Sequence, residues 1–362
     1  NANLNHQFNT NLSRVQPTPI RVFDNNASKI PGIVKLTLGE PDFNVPDVAK
    51  KAAIQSINDN DSHYSAGSGT PQLRQAIANY LQNRYDLTYD ADSEIAVTIG
   101  ATEAIYASLF AIINKGDQVL IPTPTFPLYE VIVNLLGGEA INIDTSDNDF
   151  VLSPDALKKA LADHDHVKAI VLNYPSNPTG VTYSADQLKA IADVLADTDL
   201  VVIADEIYSE LIYGGHHTSI AKFIPGQTIV LNGASKSGAM TGYRIGFMAA
   251  PAELMKRIGM VHSIMITSPS DPAMAAAVPI FDSDDGHQAT LDMKAAYEAR
   301  RDFLVAALQK LDFTVTTPRG AFYVFAKIPA DQGTDDVKFA TKLAQEGKVA
   351  VFPGSYFGDG GE

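Results

Sequence analysis

Lys236 sits in a loop of small residues, Asn232-Gly-Ala-Ser-Lys-Ser-Gly238, and Arg244 follows eight positions later in Gly242-Tyr-Arg-Ile-Gly246. Ser and Gly neighbours leave the lysine amine sterically open. A guanidinium nearby offers the forked donor geometry that suits a phosphate. The pair comes directly after Thr228-Ile-Val-Leu231, an apolar run that reads as a buried strand. A lysine free to form an imine and an arginine free to bind a phosphate make a site only if other parts converge on them.

Those parts stand at the carboxyl ends of other apolar runs, where ligands collect in open α/β sheets. After Ile95–Thr98 comes Gly100-Ala-Thr-Glu103, which opens a helix. The free N–H groups and positive dipole end of that helix form a phosphate site, to which Thr102 can add a hydroxyl. After Gln118–Ile121 comes Pro122-Thr-Pro-Thr-Phe-Pro-Leu-Tyr129, in which Phe126, held by prolines, could stack on a flat ring. After Lys168–Leu172 comes Asn173-Tyr-Pro-Ser-Asn-Pro-Thr-Gly180, whose Asn177 could donate to a ring oxygen. After Leu200–Ala204 comes Asp205-Glu-Ile-Tyr208; a carboxylate ending an apolar strand is costly to bury without a cation. Each fragment alone has a plain structural reading, as a helix cap, a packed aromatic or a turn. As a set they describe a site for pyridoxal 5'-phosphate: a lysine, a phosphate anchor, a stacking ring and a carboxylate for the pyridinium nitrogen.

The elements that position them alternate strand and helix from about residue 90 to 250, with Arg244–Ala249 as the last strand of the series. Continuously apolar strands and amphipathic helices predict a mainly parallel sheet covered on both faces. Ser184-Ala-Asp-Gln187 is a capping box, and Ser153-Pro154 supplies another helix start. Beyond about residue 285 the pattern changes to a long helix, Thr290–Leu311, and strands at Phe313–Thr316, Phe322–Ala326 and Val349–Phe352. Val34–Leu38 is expected to join this smaller α+β part. The expected division is an N-terminal arm with part of the small domain in 1–44, a large cofactor-binding domain in 45–284 and the rest of the small domain in 285–362.

A net charge of −15 argues against nucleic acid and anionic membrane surfaces as partners. The chain has no cysteine, so disulfides and thiolate metal sites are excluded. No apolar run reaches a membrane span, and the polar start, Asn1–Gln16, has no signal-peptide core. A cytoplasmic location is expected. His164, His166, His216 and His217 lack a third ligand cluster, so no metal is expected, and Glu206 is read as structural.

The sequence resembles the class I/II aminotransferases, the fold type I pyridoxal-phosphate enzymes. Leu38-Gly-Glu-Pro-Asp-Phe43, Tyr64 with Gly69-Thr-Pro-Gln-Leu-Arg74, Asn177-Pro-Thr-Gly180, Asp205-Glu-Ile-Tyr208, Ser235-Lys236 with Gly242-Tyr-Arg244, and Pro353-Gly-Ser-Tyr-Phe-Gly358 carry the resemblance across nearly the whole chain. It implies a mainly parallel seven-stranded sheet and the transfer of an amino group from an α-amino acid to a 2-oxo acid such as 2-oxoglutarate, in ping-pong fashion. It further implies that Lys236 joins the cofactor and then shuttles a proton, and that Asp205 pairs with the ring nitrogen. Asn177 and Tyr208 would bond the ring oxygen, and Phe126 would stack on the ring. Arg244, Ser235, Thr102 and the Ala101 N–H would hold the phosphate, joined by Tyr64 from the other subunit of a homodimer. Gly39 would let backbone approach the substrate carboxylate, where Asn177 also lies.

Two positions depart from the family pattern. Gly233 stands where relatives often carry a second hydroxyl. The residues end at Gly361-Glu362, ahead of the family's carboxylate-binding arginine, and begin without Met, so the ends are expected to continue. The same fold also hosts β-eliminating lyases and a ligand-sensing regulator class, the latter needing a fused DNA-binding domain. The donor is expected to be aromatic or large and neutral, with an N-acetyl-diaminopimelate-type substrate as the alternative. The reason is that Ile258–Met293 contains no Lys or Arg, while Ile264, Met265, Ile266 and Met274 offer apolar surface. Arg14 or Arg21 could supply a cation from the N-terminal segment.

Overall fold

Aliphatic and β-branched runs build the middle of a seven-stranded sheet in the computed structural model, which describes residues 7–16 and 18–362. The first residues of the polar N-terminal segment, 1–6, lie outside that range. Along the described chain the strands are β1 (Val34–Lys35), β2 (Ile95–Ile99), β3 (Gln118–Thr123), β4 (Glu139–Asp144), β5 (Val167–Asn173) and β6 (Val201–Asp205). They continue with β7 (Thr228–Gly233), β8 (Ile245–Ala249), β9 (Thr314–Val315), β10 (Ala326–Lys327) and β11 (Val349–Ala350). The sheet order is β2-β8-β7-β6-β5-β3-β4, and β8 alone runs against its neighbours. β4 was not among the expected strands. Its residues are partly exposed and it pairs only with β3 at the sheet edge, so no continuous apolar run marks it.

Helices cover both faces, as parallel strands require. They are α1 (Pro19–Ala27), α2 (Asp47–Asn58), α3 (Pro71–Tyr85), α4 (Gly100–Ile112), α5 (Leu128–Leu135) and α6 (Pro154–Asp163). After these come α7 (Ala185–Leu195), α8 (Ala234–Ser237), α9 (Ala252–Ile266), α10 (Asp271–Phe281), α11 (Asp284–Gln309) and α12 (Asp336–Lys342). Both helix starts read from the sequence form: Ser153 accepts the Ala156 N–H, and Ser184 and Gln187 make a reciprocal capping box. On one face Leu73, Ile77 and Leu81 of α3 pack with Met274 and Phe281 of α10. On the other, Ile105 and Leu109 of α4 meet Val133 of α5 and Ile258 of α9. Among the described residues no helix is long and apolar enough to cross a membrane.

The expected return of the first strand to the last is present in shortened form, with β1 parallel to β11 through Val34–Val349 and Lys35–Ala350 pairs. The expected strand Phe322–Ala326 is not. Only its last residue joins β10, which pairs with β9, while Gly320 bridges to Ile212. The freed stretch turns Phe322 and Tyr323 against Tyr208 instead.

Candidate active site

Lys236 emerges at the C-terminal end of β7 in the single turn of α8. Its amine donates to the Gly39 carbonyl at 2.7 Å and lies 5.7 and 5.6 Å from the ring centres of Tyr208 and Phe322. Burial brings its pKa down to about 8, with the charge of Arg244 adding to that and Glu40 and Asp205 opposing it. Gly39 lets the Tyr323 hydroxyl close in, because a Cβ there would push that side chain away. The Tyr323 hydroxyl in turn lies 2.6 Å from that of Tyr208.

Asp205 ends β6 with 3% exposure. Its Oδ2 accepts the Tyr129 hydroxyl at 2.6 Å and its Oδ1 the Ile207 N–H at 3.2 Å. Burial raises its pKa from the ordinary 3.8 to about 6, against the lowering effect of these two hydrogen bonds. Tyr129 is the functional candidate that the sequence reading missed. It shares a segment with Phe126, whose ring meets it edge-on at 5.8 Å, but its bond to Asp205 spans the sheet. Nothing in the local sequence separates the two aromatics.

Asn177 joins the same end of the sheet through its neighbours. Its N–H donates to Asn173 Oδ1, and Asn173 Nδ2 donates to the Asp205 carbonyl. The Asn177-Pro178 bond is cis, as are Tyr174-Pro175 and Thr123-Pro124.

The opposite corner is built for an anion. Residues Gly100, Ala101 and Thr102 form the first turn of α4, whose N-terminus has no side-chain cap. The Arg244 guanidinium packs where a Cβ at Gly100 would lie. Arg244 was expected as the first residue of a strand; it instead precedes β8 in a left-handed conformation, φ 57°. That turn aims the side chain back over α4 rather than into the sheet. Gly246 permits the approach, since a Cβ there would lie 2.6 Å from the Ala101 nitrogen. The departure at Gly233 has a steric cause as well. A Cβ would stand 2.7 Å from the Ile245 carbonyl oxygen, so β8 leaves no room for a hydroxyl side chain. Ser235, buried in α8, stays next to Lys236.

Tyr64, expected at the other subunit's site, is 88% exposed on its own chain. Met274, expected on an apolar surface, is fully buried in the core between α3 and α10, whereas Ile264 and Met265 are exposed. Arg14 is occupied at another place, donating to the Gly138 carbonyl at 2.7 Å. Glu206 accepts from Tyr174 and Ser219 and lies 2.8 Å from His217 Nε2, in a buried cluster behind the site.

The donor set fits one kind of ligand. Among the described residues neither Asp205 nor Arg244 forms an ion pair, although one is a buried carboxylate and the other a guanidinium at an uncapped helix start. A molecule with a cationic ring nitrogen at one end and a phosphate at the other would satisfy both, which is the layout of pyridoxal 5'-phosphate.

Comparison with known proteins agrees. The profile of the family described as "Aminotransferase class I and II" matches residues 31–360. A probable N-acetyl-LL-diaminopimelate aminotransferase of Bacillus subtilis (strain 168) is 39% identical, over 99% of this chain and 90% of its own. The crystal structure of an aromatic aminotransferase from Pyrococcus horikoshii OT3 superposes with a TM-score of 0.88 at 35% identity, covering 94% of this chain and 91% of that one. An aspartate aminotransferase from Thermus thermophilus with maleate gives 0.92 at 32% identity, covering 97% and 92%. The chain belongs to the class I and II aminotransferases and is an enzyme of that pyridoxal-phosphate-dependent family.

Proposed function

We propose that this enzyme moves the amino group of a neutral, aromatic or large apolar α-amino acid to a 2-oxo acid such as 2-oxoglutarate. The cofactor, when bound, supplies an electrophilic carbonyl and an electron sink. Arg244, Ser235, Thr102 and the Ala101 N–H would hold its phosphate, Asp205 would keep a proton on its ring nitrogen, and Asn177 and Tyr208 would hydrogen-bond its ring oxygen. Phe126 would cover the ring face. Lys236 would accept and return the proton at the substrate α-carbon. Its lowered pKa supports this, since the neutral amine is the form that takes a proton.

The observation carrying the donor assignment is that, apart from Arg21, the cations considered for a second carboxylate are engaged elsewhere. Ile258–Met293 contains no Lys or Arg. Arg300, near Phe43, is paired with Asp42 at 2.9 Å, and Arg14 is held by Gly138. Phe322 and Tyr208 flank the lysine amine with apolar ring surface. A desolvated, unpaired side-chain carboxylate costs several kcal/mol, so kcat/KM for aspartate is expected about 100-fold or more below that for phenylalanine, tyrosine or leucine. A donor panel with 2-oxoglutarate measures this directly. Aspartate outperforming all three would overturn the assignment. The relatives' names divide among N-acetyl-LL-diaminopimelate, aromatic and aspartate donors, so likeness alone does not choose.

The same reading makes the enzyme a homodimer in which Tyr64 completes the partner's phosphate site. Tyr64, Ile264 and Met260 are 88, 84 and 58% exposed, an apolar exposure that a second copy would cover. Mixing Lys236→Ala with Tyr64→Ala protein should therefore restore activity, because one site of each heterodimer is intact. Random exchange predicts about a quarter of wild-type activity. No recovery despite verified subunit exchange would refute site sharing.

A further inference from the structure

His262 of α9 takes no part in the reading above, yet it is 2% exposed and bonded at both ring nitrogens. Nδ1 lies 2.6 Å from Glu103 Oε1, and Nε2 lies 2.7 Å from the Gly67 carbonyl oxygen. A carbonyl oxygen only accepts, so Nε2 carries a hydrogen. The other Glu103 oxygen already accepts the Ile99 N–H at 2.6 Å, so both oxygens of the carboxylate face N–H groups. An ionised Glu103 also only accepts, so Nδ1 must carry a hydrogen too. Neutral imidazole has one N–H and cannot serve both.

We propose that His262 is held as an imidazolium ion and acts as a positioning residue, locking the loop that carries Tyr64 onto the first turn of α4. The ring joins three elements. Glu103 follows Thr102 in α4, Gly67 lies three residues beyond Tyr64, and α9 supplies the ring itself. Gly67 is tight against α9 as well, since a Cβ there would stand 3.0 Å from the Thr267 carbonyl oxygen. Charge is what makes the lock strong, because hydrogen bonds from a cation are about twice as strong as neutral ones.

The electrostatics support this placement. Burial opposes the charge, but the Glu103 hydrogen bond and charge, with the Gly67 carbonyl, outweigh it and raise the pKa above the ordinary 6.5. Glu103 on α4 is the charged group facing the ring. The loop presents a neutral carbonyl and β2 a neutral N–H. On α9, Glu253, Lys256 and Arg257 lie more than a turn away along the helix. A raised folded pKa means that the lock is complete below the unfolded histidine pKa and is lost as pH rises through the folded value.

The consequence for cofactor retention rests on α4 being the phosphate cradle; the charge on the ring does not. The test uses 15N-histidine-labelled holoenzyme, in which His262 should show two imidazole N–H signals at pH 7, both absent in His262→Gln. Amide exchange of residues 65–69 should lose about tenfold or more protection in His262→Gln and Glu103→Gln at pH 7, with wild type approaching the variants at high pH. Cofactor release, followed by absorbance, should quicken in parallel. A single N–H signal on His262 at pH 7, or unchanged loop protection in both variants, overturns the proposal. Lost protection with unchanged cofactor release supports the lock and counts against the phosphate cradle.

Discussion

Lys236→Ala is expected to lower kcat by at least about a thousandfold while leaving the fold in place, because two roles vanish with one amine. The wild-type amine is nearly enclosed, bonded to one carbonyl and shifted to a pKa of about 8. At pH 7 about a tenth of it is neutral, against less than about a thousandth for an ordinary lysine. That fraction can attack a carbonyl or accept a proton. Alanine offers neither, and the neighbouring hydroxyls of Tyr208 and Tyr323 cannot stand in, since burial pushes both well above the ordinary tyrosine value. Lys236→Arg should fail equally, since a guanidinium keeps its proton. Small exogenous amines should restore part of the proton transfer in the alanine variant. Borohydride treatment of the loaded wild type should fix the cofactor on the peptide containing Lys236; fixation on another lysine would end the assignment.

Why Lys236 could be found from sequence and Tyr129 could not comes down to the range of the interactions. The lysine's neighbours Ser235, Ser237 and Gly238 are local, as are the apolar runs that became β5, β6 and β7. Strand-end positions follow from topology, so Asp205, Asn173 and Gly100 could be gathered without coordinates. Tyr129 to Asp205 and Tyr323 to Tyr208 are contacts across 76 and 115 residues, and no periodicity records them. Arg244 was legible as an anion donor but not its left-handed turn, which depends on β8 and α4 closing on each other. Met274 misled because an apolar residue in a helix reads alike whether its face meets a ligand or the core. Gly233 looked like a lost donor. In the folded chain it is the clearance that β8 requires.

Asp205→Asn should separate stability from function, with opposite signs in the two states of the protein. In the apo form the carboxylate is buried without a cation and its pKa is raised to about 6. A raised acid pKa means the folded state binds the proton more tightly than the unfolded chain, so stability falls as pH climbs from about 4 to about 6 and stays low above. Asparagine keeps the shape, its single Oδ1 can still accept the Ile207 N–H while its Nδ2 donates to the Tyr129 hydroxyl, and it carries no charge to desolvate. The apo variant is therefore expected to exceed wild type in stability by on the order of 2 kcal/mol at pH 7 to 8, with no advantage at pH 4. Denaturant melts at the two pH values measure this. With cofactor the order reverses, because the neutral amide cannot keep a proton on the ring nitrogen. Affinity should drop and turnover should fall by about a thousandfold or more. A cofactor analogue with a permanent positive charge at that nitrogen should recover part of the turnover in Asp205→Asn. An apo variant no more stable than wild type at pH 8 would show that Asp205 is not strained by its burial. Wild-type turnover in the variant would remove it from the site altogether.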